Sequence, residues 1–206
     1  DSAGRSTQYE KSVAIGNSAG KTNQGNNPFG SSFGVGMSIA IGDLAGETSQ
    51  NAKAIAIGHE AGNGTQSVET VSIGYQTGKT TQGIQAVAVG SNAGETSQGT
   101  KSIAIGLRAG RTTQGTDGVA IGTDAGKTSQ GQRSIAIGYQ AGITNQAANG
   151  IIINSKGTSV NNTTAGHINI ESSTAWLRAS GANWTSSGTT GNVSDIRLKE
   201  NVNPIT

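Results

Sequence analysis

Along most of the chain, large and small apolar residues alternate in threes and then stop at a glycine, as in Val13-Ala14-Ile15-Gly16, Ile39-Ala40-Ile41-Gly42 and Ile103-Ala104-Ile105-Gly106. A two-residue alternation is the period of a β-strand with one face buried. The closing glycines fall at Gly16, Gly42, Gly58, Gly74, Gly90, Gly106, Gly122 and Gly138, a first step of 26 residues followed by six of 16. The longer step is one period plus a ten-residue insertion at about residues 26-35, which carries Phe29 and Phe33.

Polar positions keep the same register. Four residues after each closing glycine stands another, from Gly20 and Gly46 to Gly126 and Gly142. Eight residues after it stands a glutamine in every copy: Gln24, Gln50, Gln66, Gln82, Gln98, Gln114, Gln130 and Gln146. The unit is S-[IV]-A-[IV]-G-x-x-A-G-x-T-x-Q-G-x-x. Two short strands and two glycine turns in sixteen residues make one coil of a β-solenoid. Residues 11-150 are therefore predicted to stack as an all-β column, with identical positions about 4.8 Å apart. Ile and Val form continuous apolar ladders in this reading, and the glutamines form a polar ladder whose amides bond up and down the stack. Thr96 and Gln98 are expected to share one side of the second strand. The small Ala14, Ala40, Ala56, Ala88, Ala104, Ala120 and Ala136 either allow neighbouring columns to approach or line a narrow interior.

So thin a core is marginal for one column, which predicts lateral association of identical chains. The residue after the second glycine runs Lys21, Glu47, Asn63, Lys79, Glu95, Arg111, Lys127, Ile143, and mixed signs in vertical neighbours suit a solvated face. The pair after the first glycine varies freely, including His59-Glu60, Tyr75-Gln76, Leu107-Arg108 and Tyr139-Gln140, as outward turns do.

Composition narrows the function classes. Of 206 residues, 33 are Gly and none is Cys, so disulfides and thiolate metal sites are excluded. A net charge of +2 is too small and scattered to imply nucleic acid. No run of about 18 apolar residues suggests a membrane span. Three copies of G-x-x-x-G-K-T, at Gly16, Gly74 and Gly122, fall one residue short of a phosphate-binding loop and open no helix. His59 and His167 stand apart and read as surface or packed side chains, no carboxylate pair stands out for glycoside hydrolysis, and neither a metal nor another cofactor is expected. The opening at Asp1, without a leader, reads as a fragment or processed piece.

Outside the repeats, residues 1-10 read as a lead-in and residues 151-193 as a β-rich tip holding both tryptophans, Trp176 and Trp184. The last stretch, 194-206, changes character and is denser in charge.

In that stretch, Ser194-Asp195-Ile196-Arg197-Leu198-Lys199-Glu200-Asn201 closely resembles the opening of the self-cleaving intramolecular chaperone at the C-terminus of phage tail fibres, tailspikes and endosialidases. The sixteen-residue repeats look like coils of such fibres and are similar in style to the S-V-A-I-G repeats in heads of trimeric autotransporter adhesins. The resemblance implies a homotrimeric, extracellular fibre segment of a virion that attaches to a host-surface glycan or an outer-membrane receptor. It also implies cleavage of Ser194-Asp195 in the complete precursor, with Ser194 as nucleophile and Lys199 as its base; only 12 residues follow Ser194, so this chain by itself is expected to be inert. Receptor contacts are expected among the aromatic residues, whose rings stack on sugar faces: Trp176 and Trp184, Tyr75 and Tyr139 on outward turns, and Phe29 and Phe33 in the insertion. Alternative readings are an adhesin head and a non-binding structural or ice-binding solenoid.

Overall fold

The computed structural model describes residues 2–28, 36–173, 175–180 and 183–188. The chain is an all-β parallel solenoid. One sheet has twelve strands. Ten of them, from Val13–Ile15 through Ile103–Ile105 to Ile168–Glu171, pair in parallel with the equivalent strand of the next coil, so that Ile103, Ala104 and Ile105 lie beside Val119, Ala120 and Ile121. The last two, Ala175–Ser180 and Asn183–Gly188, extend the sheet in antiparallel fashion. A second sheet stacks the two-residue strands Ser49–Gln50, Thr65–Gln66, Thr81–Gln82, Ser97–Gln98, Thr113–Gln114 and Ser129–Gln130.

Stacking in this register fixes the turn residues. Gly106 has φ +125°, and a Cβ there would lie 2.8 Å from the carbonyl oxygen of Gly122 in the next coil. Backbone touches backbone at this corner, so only glycine fits. The same corner continues through a left-handed residue with a side chain, Arg108 at φ 55°, and the opposite corner through Asp117 at φ 56°. Such conformations cost about 1–2 kcal/mol each for L-residues. Coil-to-coil hydrogen bonds offset them: Gly106 N–H donates to Val89 O at 2.8 Å and Ile103 N–H to Gly118 O at 2.9 Å.

The large sheet decides the alternative left open for the alanines: they line the narrow interior, and the Ile and Val ladders face outward. Ala104 is fully buried, whereas Ile105 is 38% and Ile15 58% exposed. Around the interior run Ser102, Ala104, Ala109 and Gln114 and their counterparts. All twenty outward positions of the ten parallel strands are Ile or Val. The physical reason is width. Sixteen residues, with strands of three and two, enclose a narrow cross-section that the glutamines already span, leaving room for only a small residue at the middle of the facing strand in the coils from Gly16 to Gly138. Alanine fits, and the long outward residues turn away.

The glutamines lie inside and bond mainly across the coil. Each amide Nε2 donates to the carbonyl beginning the facing strand, at 2.6–2.9 Å, as from Gln114 to Ile103 O. Among the described residues, glutamine-to-glutamine bonds along the column join Gln66 to Gln82 at 3.2 Å and Gln82 to Gln98 at 3.1 Å. That link sits where the interior alanines are replaced by Ser72 and Thr77: Ser72 Oγ donates to Gln82 Oε1 at 2.8 Å. Thr96 does not share the side of Gln98; it is exposed on the bend before the strand.

Both ends add detail. Ala3-Gly4-Arg5-Ser6-Thr7-Gln8 continues the register as the second half of a coil, with Gly4 N–H on Ala19 O at 3.0 Å and Gln8 bridged in parallel to Gln24. The insertion leaves at Gly25 and returns at Gly36, whose N–H donates to Gly25 O at 2.8 Å, so the column is uninterrupted. Past Gln146 the interior changes to Ile152, Asn154, Val160, Asn162, Asn169 and Glu171.

Candidate functional surface

Three surfaces wrap the column. The outer face of the large sheet carries the Ile and Val pairs. Because a strand alternates sides, each Ala buried inward presents two branched side chains outward, and ten coils build two continuous apolar stripes. At about 4.8 Å per strand and about 7 Å between same-face residues, the patch measures roughly 45 by 14 Å, or about 600 Å². That is at the top of the range for the largest apolar patch a monomer leaves bare.

The second sheet is hydrophilic. Thr48, Thr80, Thr96 and Thr112 are exposed in one file, and the charges beside them pair vertically: Lys21 Nζ to Glu47 Oε1 at 3.2 Å and Arg111 Nε to Glu95 Oε2 at 2.6 Å. The mixed signs read from the sequence thus meet as neighbours of successive coils.

The corner beyond the first turn glycine forms the third surface. Tyr75 is 51% and Tyr139 45% exposed, with Leu107 at 44% between them. Tyr75 stacks on His59, ring centroids 5.4 Å apart and planes at 11°. His59 Nε2 lies 3.4 Å from Asp43 Oδ2, and Asn17 Nδ2 donates to Asp43 Oδ1 at 2.9 Å. Lys79 Nζ approaches Glu60 Oε2 at 2.6 Å, and Gln76 donates to the same oxygen at 2.7 Å. The Lys79 hydrogen bond, then that of Gln76, holds the Glu60 carboxyl below its ordinary range. Two coils on, Arg108 Nη2 donates to Asp124 Oδ2 at 2.8 Å, with Lys127 Nζ 3.5 Å from Asp124 Oδ1.

The remaining candidates divide. The eight glutamines form the interior row described above, and six of their oxygens Oε1, those of Gln24, Gln50, Gln66, Gln114, Gln130 and Gln146, have no hydrogen-bond donor. Each faces a turn glycine: a Cβ on Gly110 would lie 2.8 Å from Gln114 Oε1, so a C–H···O contact is the compensation available. Trp176 stands opposite Glu171 and Ser187 in the register, and Trp184 opposite Ala179. Phe29, Phe33, Ser194 and Lys199 lie outside the described residues. Among the described residues no three His, Asp or Glu side chains gather as metal ligands, and no helix is long and apolar enough to cross a membrane.

Sequence reasoning left open which side of the strand faces inward, although a deciding signal was present. In the copies from Gly16 to Gly138 the middle residue of the triplet is Ala, changed only to Ser72, while its neighbours exchange Ile and Val freely. A position that must stay small is a confined one. The His59–Tyr75 stack was also readable as two residues sixteen apart.

The fold and surfaces define a parallel β-solenoid with an uncovered apolar face. Comparison with protein-family models, curated proteins and solved structures found no match.

Proposed function

We propose that this chain is a structural and receptor-binding segment of a homotrimeric phage tail fibre, whose column gives reach and whose flanks and tip engage host-surface polysaccharide. One observation carries the reading: twenty Ile and Val side chains lie in two unbroken stripes on the outside of a column filled with Ala, Ser and Gln. At about 25 cal/mol per Å², covering about 600 Å² of apolar surface on each copy is a large driving force for bundling. Stable interfaces bury about 800 Å² per partner, so neighbouring copies meeting along this face and its rims reach the required scale. The charge-paired second sheet then faces water.

The octapeptide beginning at Ser194 supports a further part of the reading, release of a C-terminal chaperone by cleavage at Ser194-Asp195. A serine hydroxyl needs a base to become a nucleophile, and Lys199, desolvated in a complete precursor, supplies one.

Sedimentation equilibrium tests the assembly. Three copies are expected for the native chain, and single copies for a variant with Ile105→Lys and Ile121→Lys; a monomeric native chain overturns it. Adsorption of the labelled chain to bacterial cells tests attachment. Mass spectrometry of the full-length precursor beside its Ser194→Ala variant tests cleavage, which the variant is expected to lose.

A further inference from the structure

The corner file after the first turn glycine alternates large and small residues at a two-coil period: Tyr75, Ser91, Leu107, Thr123, Tyr139. The large members are the exposed Tyr75, Leu107 and Tyr139, and the small members are half-buried between them. Two coils span about 9.6 Å. The result is a pair of shallow notches, one over Ser91 and one over Thr123, each walled above and below by an apolar side chain.

The neighbouring file supplies polar groups beside both notches. Asn92 Nδ2 donates to Gln76 Oε1 at 3.1 Å next to the first, and the Arg108–Asp124 pair lies next to the second. The lower wall is held in place, since Tyr75 rests on His59, His59 on Asp43, and Asp43 on Asn17. An oriented aromatic platform at Tyr75, with the exposed Leu107 and Tyr139 further along the file, beside amide, guanidinium and carboxylate groups suits one ligand chemistry well, a pyranose ring with an apolar C–H face and a rim of hydroxyls. Interleaved carboxylates, Glu60 and Asp124, disfavour a polyanion such as nucleic acid.

We propose that the Tyr75–Tyr139 file is a carbohydrate-binding edge that seats one pyranose ring in the notch over Ser91 and a second in the notch over Thr123. This rests on the reading of the chain as a polysaccharide-binding fibre segment and names the site. Two notches on one rigid column bind a single glycan bivalently, so loss of either lowers affinity at least about tenfold.

The test uses cellohexaose, chitohexaose and maltohexaose with the whole chain, followed by saturation-transfer NMR and calorimetry. At least one hexasaccharide is expected to bind. Filling the notches with Ser91→Tyr and Thr123→Tyr, or removing the walls with Tyr75→Ala and Tyr139→Ala, is expected to abolish that binding, while Thr96→Ala on the opposite sheet leaves it intact. Circular dichroism melts check that each variant folds, and the wall-removing pair stands in if the filled pair does not. Absence of binding to all three sugars, or binding unchanged in a folded notch variant, overturns the proposal. If the native chain still assembles and adsorbs to cells in that case, the fibre reading survives without this site. A native chain that neither assembles nor adsorbs removes both.

Discussion

The two faces of the ten-stranded parallel ladder use the same three-residue strands for opposite ends. On the inner face Ala104 and Ala120, with Gln114 and Gln130 reaching across, close a column only as wide as an amide side chain is long. On the outer face Ile103, Ile105, Val119 and Ile121 present branched side chains to the surroundings. The inner face is intolerant because its neighbours are backbone. The outer face is more permissive within one copy because its side chains meet only their equivalents in the coils above and below, with water on the remaining side. Folding of the coil and association of copies are thereby assigned to different sides of one strand, and substitutions on each side have different readouts.

The largest effect is expected at the corner where coils touch. Gly106→Ala places a Cβ against the Gly122 carbonyl in a left-handed conformation and is expected to lose about 3 kcal/mol in urea unfolding; a loss under about 1 kcal/mol would show that the corner yields. Next comes Gln114→Leu, which withdraws the donor from Ile103 O and Gly118 O. It is expected to cost about 2 kcal/mol in the same assay. On the other face, Ile105→Thr is expected to change the stability of a single copy by no more than about 0.5 kcal/mol while weakening association in sedimentation. Equal effects of Gln114→Leu and Ile105→Thr on the isolated copy would erase the contrast between the faces.

The smallest effect is electrostatic and belongs to the corners. The carboxyl of Glu60 is depressed by hydrogen bonds from Lys79 and Gln76, and that of Glu69 by hydrogen bonds from Gln85 and Lys53. A depressed folded-state value means that the ionised form stabilises the fold. The contribution is complete above about pH 4.5 and is lost as the pH falls through the folded-state values. Thermal melts taken from pH 7 to 3 are expected to show a slightly shallower decline for Glu60→Gln than for the native chain.

Much of this architecture is written in the spacing. The period, the glycine corners, the in-register row of glutamines and the vertical pairing of Lys21 with Glu47 follow from counting residues. Which side of the alternation faces inward does not, because a period of two is symmetric: Ile-Ala-Ile describes an inward Ile as well as an outward one. The decision rests on column width, a property of the closed coil that no single strand carries. Of the corner surface, Tyr75 and Tyr139 were legible as outward aromatics. The Asn17–Asp43–His59–Tyr75 chain joins equivalent positions of successive coils, so its members were legible as vertical neighbours; that amide, carboxylate, imidazole and phenol ring would meet in series was not. The Lys79–Glu60 contact runs diagonally, 19 residues apart, off the sixteen-residue period, and depends on how the turn is folded.

The closure of Gly25 onto Gly36 has a wider meaning. Ten extra amino acids were accommodated at one bend while every rung beyond it kept its place, so the scaffold behaves like a spine that accepts cargo at its vertebrae. Matching bends at Gly83, Gly99, Gly115 and Gly131 offer further grafting points, separated by one rung each, from which peptides or enzymes can be displayed at molecular-ruler intervals.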